Sequence, residues 1–292
     1  MFAKKYVLFF LLLSFSFLFV LVFFIYTKIN TYDSNRLYSV RKVPKIYRAS
    51  LIADFIDNKY KKDSILIIGD SQAYGFEYPN EYIFSSILSK KINNNIINLA
   101  FIDSRILDNT YILEYLKNKN MRFKTIIYSV NPTHIKNSDF SRVDISHAKS
   151  YEYGIFFNLK PFLTLAQYPN PDKLPIFGPE MKIPKDYFDV NATSLNSYTN
   201  KLVKLITISK SISDNVIIYV TPYKESALIN DDQHNFLVLN QMLNHVHTVC
   251  NHLQITYIQP PIKNDEDFFD IVHFNANGHK KMADTLYKYM EH

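Results

Sequence analysis

The chain has 292 residues, of which 47% are hydrophobic and 15% aromatic, so it is long enough and apolar enough to bury a sizeable core. Its formal net charge of +6 comes without a dense basic stripe, which argues against a nucleic-acid partner. Cys250 is the only cysteine, so intramolecular disulfides and cysteine-cluster metal sites are excluded.

The first predicted element is a membrane anchor. Residues 6–26 contain no charged side chain and are dense in Phe, Leu and Val, and about 20 such residues cross a bilayer core. Lysines lie on both sides of this segment, so charge does not decide its orientation. We predict a tail at 1–5, a transmembrane anchor at 6–26, a stalk at 27–62 and one domain at 63–292.

Strands and helices alternate through the domain. The apolar runs predict strands at 64–68, 96–99, 125–130, 215–220 and 255–258. The amphipathic stretches predict helices at 81–92, 106–118, 193–211, 232–252 and 277–290. This alternation indicates an α/β fold, a five-stranded parallel sheet with helices on both faces.

One segment breaks the alternation. Residues 133–190 contain many prolines and aromatics and show little periodicity. A stretch of this length without clear elements is usually functional or flexible, which predicts an insertion or lid over the carboxyl edge of the sheet. A few unrecognised helices packed on the core are the alternative.

A short polar motif follows the first predicted strand. Gly69, Asp70 and Ser71 come directly after a buried apolar run. Ligands bind at the carboxyl edge of open α/β sheets, and a glycine lets the chain turn sharply there. The motif predicts Ser71 as a nucleophile and a backbone role for Asp70.

A second motif precedes the last predicted helix. Asp270 and His273 are three residues apart, which lets the carboxylate reach one ring nitrogen and leaves the other for a serine hydroxyl. Serine needs such a base, and the acid orients the imidazole. An ordinary surface histidine is the alternative. For His245 and His247 a solvent-facing helix surface is favoured over a metal site.

Together these motifs resemble the SGNH (GDSL-like) hydrolases. That family has its nucleophile in Gly-Asp-Ser after the first strand and its acid and base in Asp-x-x-His before the last helix, matched here by Gly69-Asp70-Ser71 and Asp270-Ile271-Val272-His273. The tail Asn275-Ala276-Asn277-Gly278 is similar as well. The resemblance implies a flavodoxin-like three-layer α/β/α sandwich, a Ser71–His273–Asp270 triad, and no cofactor or metal.

The family's two remaining motifs are only partly matched. Its glycine after the second strand is absent from residues 98–104, and its Gly-x-Asn-Asp is reduced to Asn131. The resemblance therefore implies an oxyanion hole formed by the Ser71 amide, the Asn131 side chain and a backbone amide of Asp103 or Ser104.

The predicted membrane anchor narrows the range of candidate functions. Membrane-anchored SGNH domains resemble the partners of membrane-bound O-acyltransferases, which implies a bacterial-type cytoplasmic membrane with the domain on the periplasmic or extracellular side. Three hypotheses remain. The first is an O-acyl esterase or O-acyltransferase acting on an acylated envelope carbohydrate, the second is a lipid esterase or thioesterase, and the third is a non-catalytic scaffold of a membrane acylation complex.

Overall fold

The structure is a computed structural model that describes residues 13–21, 52–53, 55–76, 78, 80–136, 138–141, 188, 190–231 and 233–290. The chain divides into two units. Among the described residues, the first unit comprises only the helical stretch 13–21, and the second comprises all the others.

The predicted membrane anchor falls largely outside the described residues. Of residues 6–26, only 13–21 are described, and they form a helix with exposed side chains. Within the described ranges, no helix combines the length and the apolar character needed to cross a bilayer. Most of the stalk at 27–62 and of the insertion at 133–190 also lies outside these ranges, so both remain predictions.

A five-stranded parallel sheet organises the second unit, as the sequence predicts. Its strands are β1 (Ile65–Ile68), β2 (Ile96–Asn98), β3 (Phe123–Val130), β4 (Ser213–Val220) and β5 (Thr256–Ile258). Their order in the sheet is β2-β1-β3-β4-β5, and every neighbouring pair is parallel. This is the flavodoxin-like order, so the carboxyl ends of β1 and β3 lie next to each other.

Within the described residues, seven α-helices of this unit have defined bounds. They are α1 (Ser71–Tyr74), α2 (Phe84–Ile92), α3 (Ile106–Asn118), α4 (Ala192–Ile212), α5 (Glu225–Asp231), α6 (Gln233–His252) and α7 (Ala276–Met290). A further helical stretch at 52–53 and 55–59 precedes β1.

Two hydrophobic clusters separate the helices into two layers. In β1, Leu66 and Ile68 join one cluster with α3, α4 and α6, while Ile65 and Ile67 join the other with α2 and α7. Because successive strand residues point to opposite faces, a strand covered on both sides must be apolar throughout, as β1 is. The fold is therefore a three-layer α/β/α sandwich.

The helices agree with the predicted ones to within one residue at each end, except at the start of α2 and for two helices that were not predicted. The helix predicted at 81–92 begins only at Phe84, because residues Asn80–Tyr82 form a separate 3₁₀ turn. Neither α1 nor α5 was predicted. With four and seven residues, both are too short to show a helical repeat of apolar residues.

Candidate active site

The turn after β1 presents Ser71 at the carboxyl edge of the sheet. Gly69 has φ +150°, and a Cβ there would lie 2.6 Å from the Cβ of Ser129, so the position requires glycine. The Asp70 carboxylate then accepts a hydrogen bond from the Gln72 amide at 3.2 Å and caps α1, the backbone role expected for it. Ser71 is thereby fixed as the first residue of α1.

The loop before α7 brings Asp270 and His273 to the same place. His273 Nδ1 lies 2.7 Å from Asp270 Oδ2, and His273 Nε2 lies 2.8 Å from Ser71 Oγ. The second carboxylate oxygen of Asp270 accepts hydrogen bonds from the amides of Val272 at 2.9 Å and His273 at 2.8 Å. The three residues that the two motifs predict are thus joined by one continuous path of hydrogen bonds.

The start of α7 holds this loop in shape. The side chain of Asn275 accepts hydrogen bonds from the amides of Asn277 at 2.9 Å and Gly278 at 3.1 Å, and it donates to the carbonyl of Glu266 at 2.8 Å. Phe268 and Phe274 pair across the loop as a β-bridge. The segment 275–278 after His273 therefore caps the start of α7 and attaches this helix to the loop.

The electrostatics favour an ionised Asp270. Burial alone would raise the pKa of this carboxyl, but the hydrogen bond and charge of His273, with the amides of His273 and Val272, hold it below its usual value. The ring of Phe76 packs against the His273 imidazole with 4.4 Å between ring centroids. A carboxylate with this environment can fix the tautomer of the imidazole and stabilise the imidazolium.

Asn131 follows β3 at the same edge, but its side chain has partners within the protein. Its Nδ2 donates a hydrogen bond to Asp70 Oδ2, and its Oδ1 accepts from Tyr223 Oη at 2.5 Å and from Thr133 Oγ1 at 2.8 Å. An amide nitrogen carries two hydrogens, so one bond to Asp70 leaves a second hydrogen for an oxyanion. The amide is therefore oriented from both ends by neighbouring side chains.

The loop after β2 forms a tight turn without glycine. Asp103 has φ +62°, a left-handed conformation that aspartate tolerates better than most residues. Its carboxylate accepts a hydrogen bond from Arg105 Nη2 at 2.6 Å, which holds the turn. The Ser104 amide donates to the Phe101 carbonyl at 3.1 Å, so Ser104 is a poor choice of oxyanion donor because its amide already has an acceptor.

Three further residues at this edge were missed by sequence reasoning. Gln72 donates hydrogen bonds to the carbonyls of Pro222 and Val272, Tyr223 donates to Asn131, and His134 Nε2 lies 3.9 Å from Asp70 Oδ2. These contacts join residues 64 to 200 positions apart. Only the tertiary fold brings such partners together, so no local pattern indicated them.

The single cysteine is not a competing nucleophile. Cys250 is buried, and burial raises the pKa of its thiol to about 12. The thiolate is the reactive form of cysteine, so this side chain is inert at neutral pH. In the part of the chain that the structure describes, no group of three His, Cys, Asp or Glu side chains is arranged to hold a metal ion.

No family model matches the chain, and no curated protein matches it. Among solved structures, it is similar to a lipolytic G-D-S-L family protein from Veillonella parvula, at 15% identity and a TM-score of 0.48, covering 78% of this chain and 98% of that one. A carbohydrate acetylesterase from Sinorhizobium meliloti gives 12% identity and a TM-score of 0.48, with 79% and 99% covered. An acetylxylan esterase from Geobacillus stearothermophilus gives 11% and 0.47, with 79% and 95% covered. The fold assignment rests on the strand order and parallel register described above.

Proposed function

We propose that the protein is a serine-dependent O-acyl esterase or O-acyltransferase. The observation that carries this proposal is the continuous hydrogen-bond path from Asp270 through His273 to Ser71. A hydroxyl bonded to an imidazole that is in turn bonded to a carboxylate is the arrangement that activates serine for attack on an acyl group.

The proposed reaction has two steps. Ser71 Oγ attacks the carbonyl carbon of an ester while its proton moves to His273 Nε2. That proton then passes to the leaving alkoxide, which departs and leaves an acyl-Ser71. In the second step His273 removes a proton from water or a sugar hydroxyl, the new oxygen attacks the acyl carbon, and the proton returns to Ser71.

We propose that three N–H groups stabilise the negative charge of the tetrahedral intermediates by hydrogen bonds. They are the backbone amide of Ser71, the second amide hydrogen of Asn131 and the backbone amide of Asp103. The support for Asn131 is that Asp70 and Tyr223 orient its side chain. Each such donor contributes about 100-fold or more to the rate.

We propose that the substrate is an acylated carbohydrate of the cell envelope. We also propose that residues 6–26 form an uncleaved anchor that keeps the domain at the outer side of the membrane. There the domain would act with a membrane-bound O-acyltransferase. The support is the uncharged apolar run in the sequence. Hydrolysis and transfer share every step up to the acyl-Ser71, so the same site serves both.

A fluorophosphonate probe tests the proposal directly, because it forms a covalent bond only with an activated serine. We expect the full-length protein to be labelled at Ser71 and Ser71→Ala not to be labelled, as read by mass analysis of the peptides. The chain offers a matched control, since Thr199 Oγ1 lies 2.6 Å from His245 Nε2 and forms a second hydroxyl–imidazole pair. Thr199→Ala should be labelled as the wild type is. Absence of labelling of the wild type from about pH 6 to 9 would rule out catalysis by Ser71.

A further inference from the structure

Gln72 is a buried polar residue directly beside the candidate nucleophile. Only 1% of its surface is exposed, and it occupies the second position of α1, next to Ser71. Burying an amide side chain is costly unless hydrogen bonds compensate. Its partners therefore indicate why it is tolerated there.

The side chain of Gln72 joins three segments. Its Nε2 donates to the Pro222 carbonyl at 3.1 Å, just after β4, and to the Val272 carbonyl at 2.5 Å, in the loop that contains the base. Carbonyl oxygens only accept, so the amide nitrogen must face both, and the orientation of the side chain is fixed. Its Oε1 is buried without a hydrogen-bond partner among the described residues.

The contact with Val272 bears directly on the base. Val272 is bonded through its peptide to His273, and its own amide donates to Asp270 at 2.9 Å. A shift of the Val272 carbonyl therefore moves both the acid and the base relative to Ser71. The loop has a second attachment, from the Lys224 amide to the Ile271 carbonyl at 2.8 Å, but that bond reaches the segment after β4 and not α1.

We infer that Gln72 is a positioning residue that fixes the distance and angle between Ser71 Oγ and His273 Nε2. This role rests on the proposed function, since it matters only if Ser71 is the nucleophile. The amide nitrogen of Gln72 is bonded to the carbonyls of Pro222 and Val272, so in this role Gln72 does not act on the substrate directly. It acts by holding α1 and the base loop together through a single amide group.

Two substitutions of similar size remove this connection. Gln72→Met keeps the length of the side chain and has no donor. Gln72→Glu keeps the shape but places a carboxyl group against two carbonyl oxygens, and it has one hydrogen to donate at most. We expect each to lower the rate of fluorophosphonate labelling and the kcat for a model ester by about 10-fold to 100-fold, with KM nearly unchanged, as expected for a misplacement of about 1 Å at the reacting groups.

Asn95 provides a matched control at the opposite edge of the sheet. It precedes β2, and its Nδ2 donates to the Lys59 carbonyl at 3.2 Å and to Ser64 Oγ at 2.7 Å, so it too joins segments through one amide. Asn95→Asp should lower the melting temperature while leaving the labelling rate of the folded protein at the wild-type value. Hydrogen exchange of the full-length protein should become faster at residues 269–273 in the Gln72 variants and not in Asn95→Asp.

The outcomes separate this inference from the proposed function. A wild type that is not labelled overturns the proposed function and this inference with it. A labelled wild type with Gln72→Met and Gln72→Glu reacting at the wild-type rate overturns the inference alone, as does a rise in KM without a fall in kcat. Failure of both variants to fold would also overturn it, because Gln72 would then be needed for the fold and not for alignment.

Discussion

At the scale of single residues, the site depends on the hydrogen bonds of five side chains at the carboxyl edge of the sheet. Ser71 and His273 are joined at 2.8 Å, His273 and Asp270 at 2.7 Å, and Asn131 is held by Tyr223 at 2.5 Å. Each hydrogen bond either determines which atom carries a proton or orients a side chain. A substitution that removes one bond therefore removes one defined function.

Asp270→Asn should leave the fold intact and reduce labelling of Ser71 by about 10³-fold to 10⁴-fold, because an amide in place of the carboxylate favours the wrong tautomer of His273. The measurement is the second-order rate constant of labelling. The loss should be less complete than in Ser71→Ala, which has no nucleophile. If His279→Ala were severe and His273→Ala harmless, the histidine has been misassigned.

Asn131→Ala should lower kcat by about 100-fold with little change in KM, because an oxyanion donor acts mainly in the transition state. Asn131→Asp should be worse, since it places a second carboxylate beside Asp70 and negative charge where the oxyanion forms. Tyr223→Phe keeps the Asn131 amide but removes one of the hydrogen bonds that orient it. We therefore expect a smaller fall in kcat than for Asn131→Ala. Steady-state kinetics on a model ester measure all three, and equal values for Asn131→Ala and wild type would exclude the oxyanion role.

His134 makes the stability of the domain depend on pH. Burial is the main cause that lowers the pKa of His134 to about 4, despite the opposing charge of Asp70. In the unfolded chain the pKa is about 6.5, so as the pH falls from 6.5 towards 4 the unfolded state gains a proton that the folded state does not. The contribution of the neutral His134 to stability is fully present above about pH 6.5. It is lost progressively as the pH falls from about 6.5 towards about 4.

The test compares two histidine variants by urea unfolding. Between about pH 7 and pH 5 we expect the wild type to lose about 2 kcal/mol more unfolding free energy than His134→Gln. The exposed His252 is the control, and His252→Gln should retain the pH dependence of the wild type. A wild type and a His134→Gln variant with the same pH dependence would contradict a buried neutral imidazole.

At the scale of elements, the turn between β1 and α1 tolerates little change at Gly69. Gly69→Ala would require φ +150° and a Cβ only 2.6 Å from that of Ser129, and we expect it to lower the unfolding free energy by about 2 kcal/mol or more. Thermal and urea unfolding measure the loss. Ser129→Gly also removes a hydrogen bond to Thr221, so the comparison needs this single variant as its reference. Gly69→Ala should cost less in the Ser129→Gly background than in the wild type, because the part due to the clash is removed and the part due to φ remains. An equal cost in both backgrounds would mean that the clash is not the cause.

The same elements show how much of the fold could be predicted. The buried run at 64–68 and the periodicity of 106–118 identify β1 and α3 almost to the residue, because burial on two faces or on one leaves a pattern in the sequence. The two sequence motifs indicate the proposed triad because each is local. The connection from Asn131 to Tyr223 spans 92 positions and leaves no local pattern, so it appears only in the structure.

At the scale of the whole molecule, the three proposed catalytic residues and their supports all belong to the second unit, which includes residues 35–151 and 170–292. Removal of residues 1–30 should therefore leave labelling of Ser71 near the wild-type rate. If residues 6–26 form the proposed anchor, activity on the natural acyl donor should fall much more, because such an anchor raises the effective concentration of the domain near that donor. A folded truncated protein without labelling would show that the first unit helps to build the site.

The two outer strands of the sheet have a consequence for how copies of this protein meet. Both β2 and β5 are only three residues long. An exposed strand edge invites pairing with a strand from another molecule, and a very short edge offers too few backbone groups for such pairing to hold. Edge-to-edge pairing between the sheets of two copies is therefore disfavoured at both outer strands.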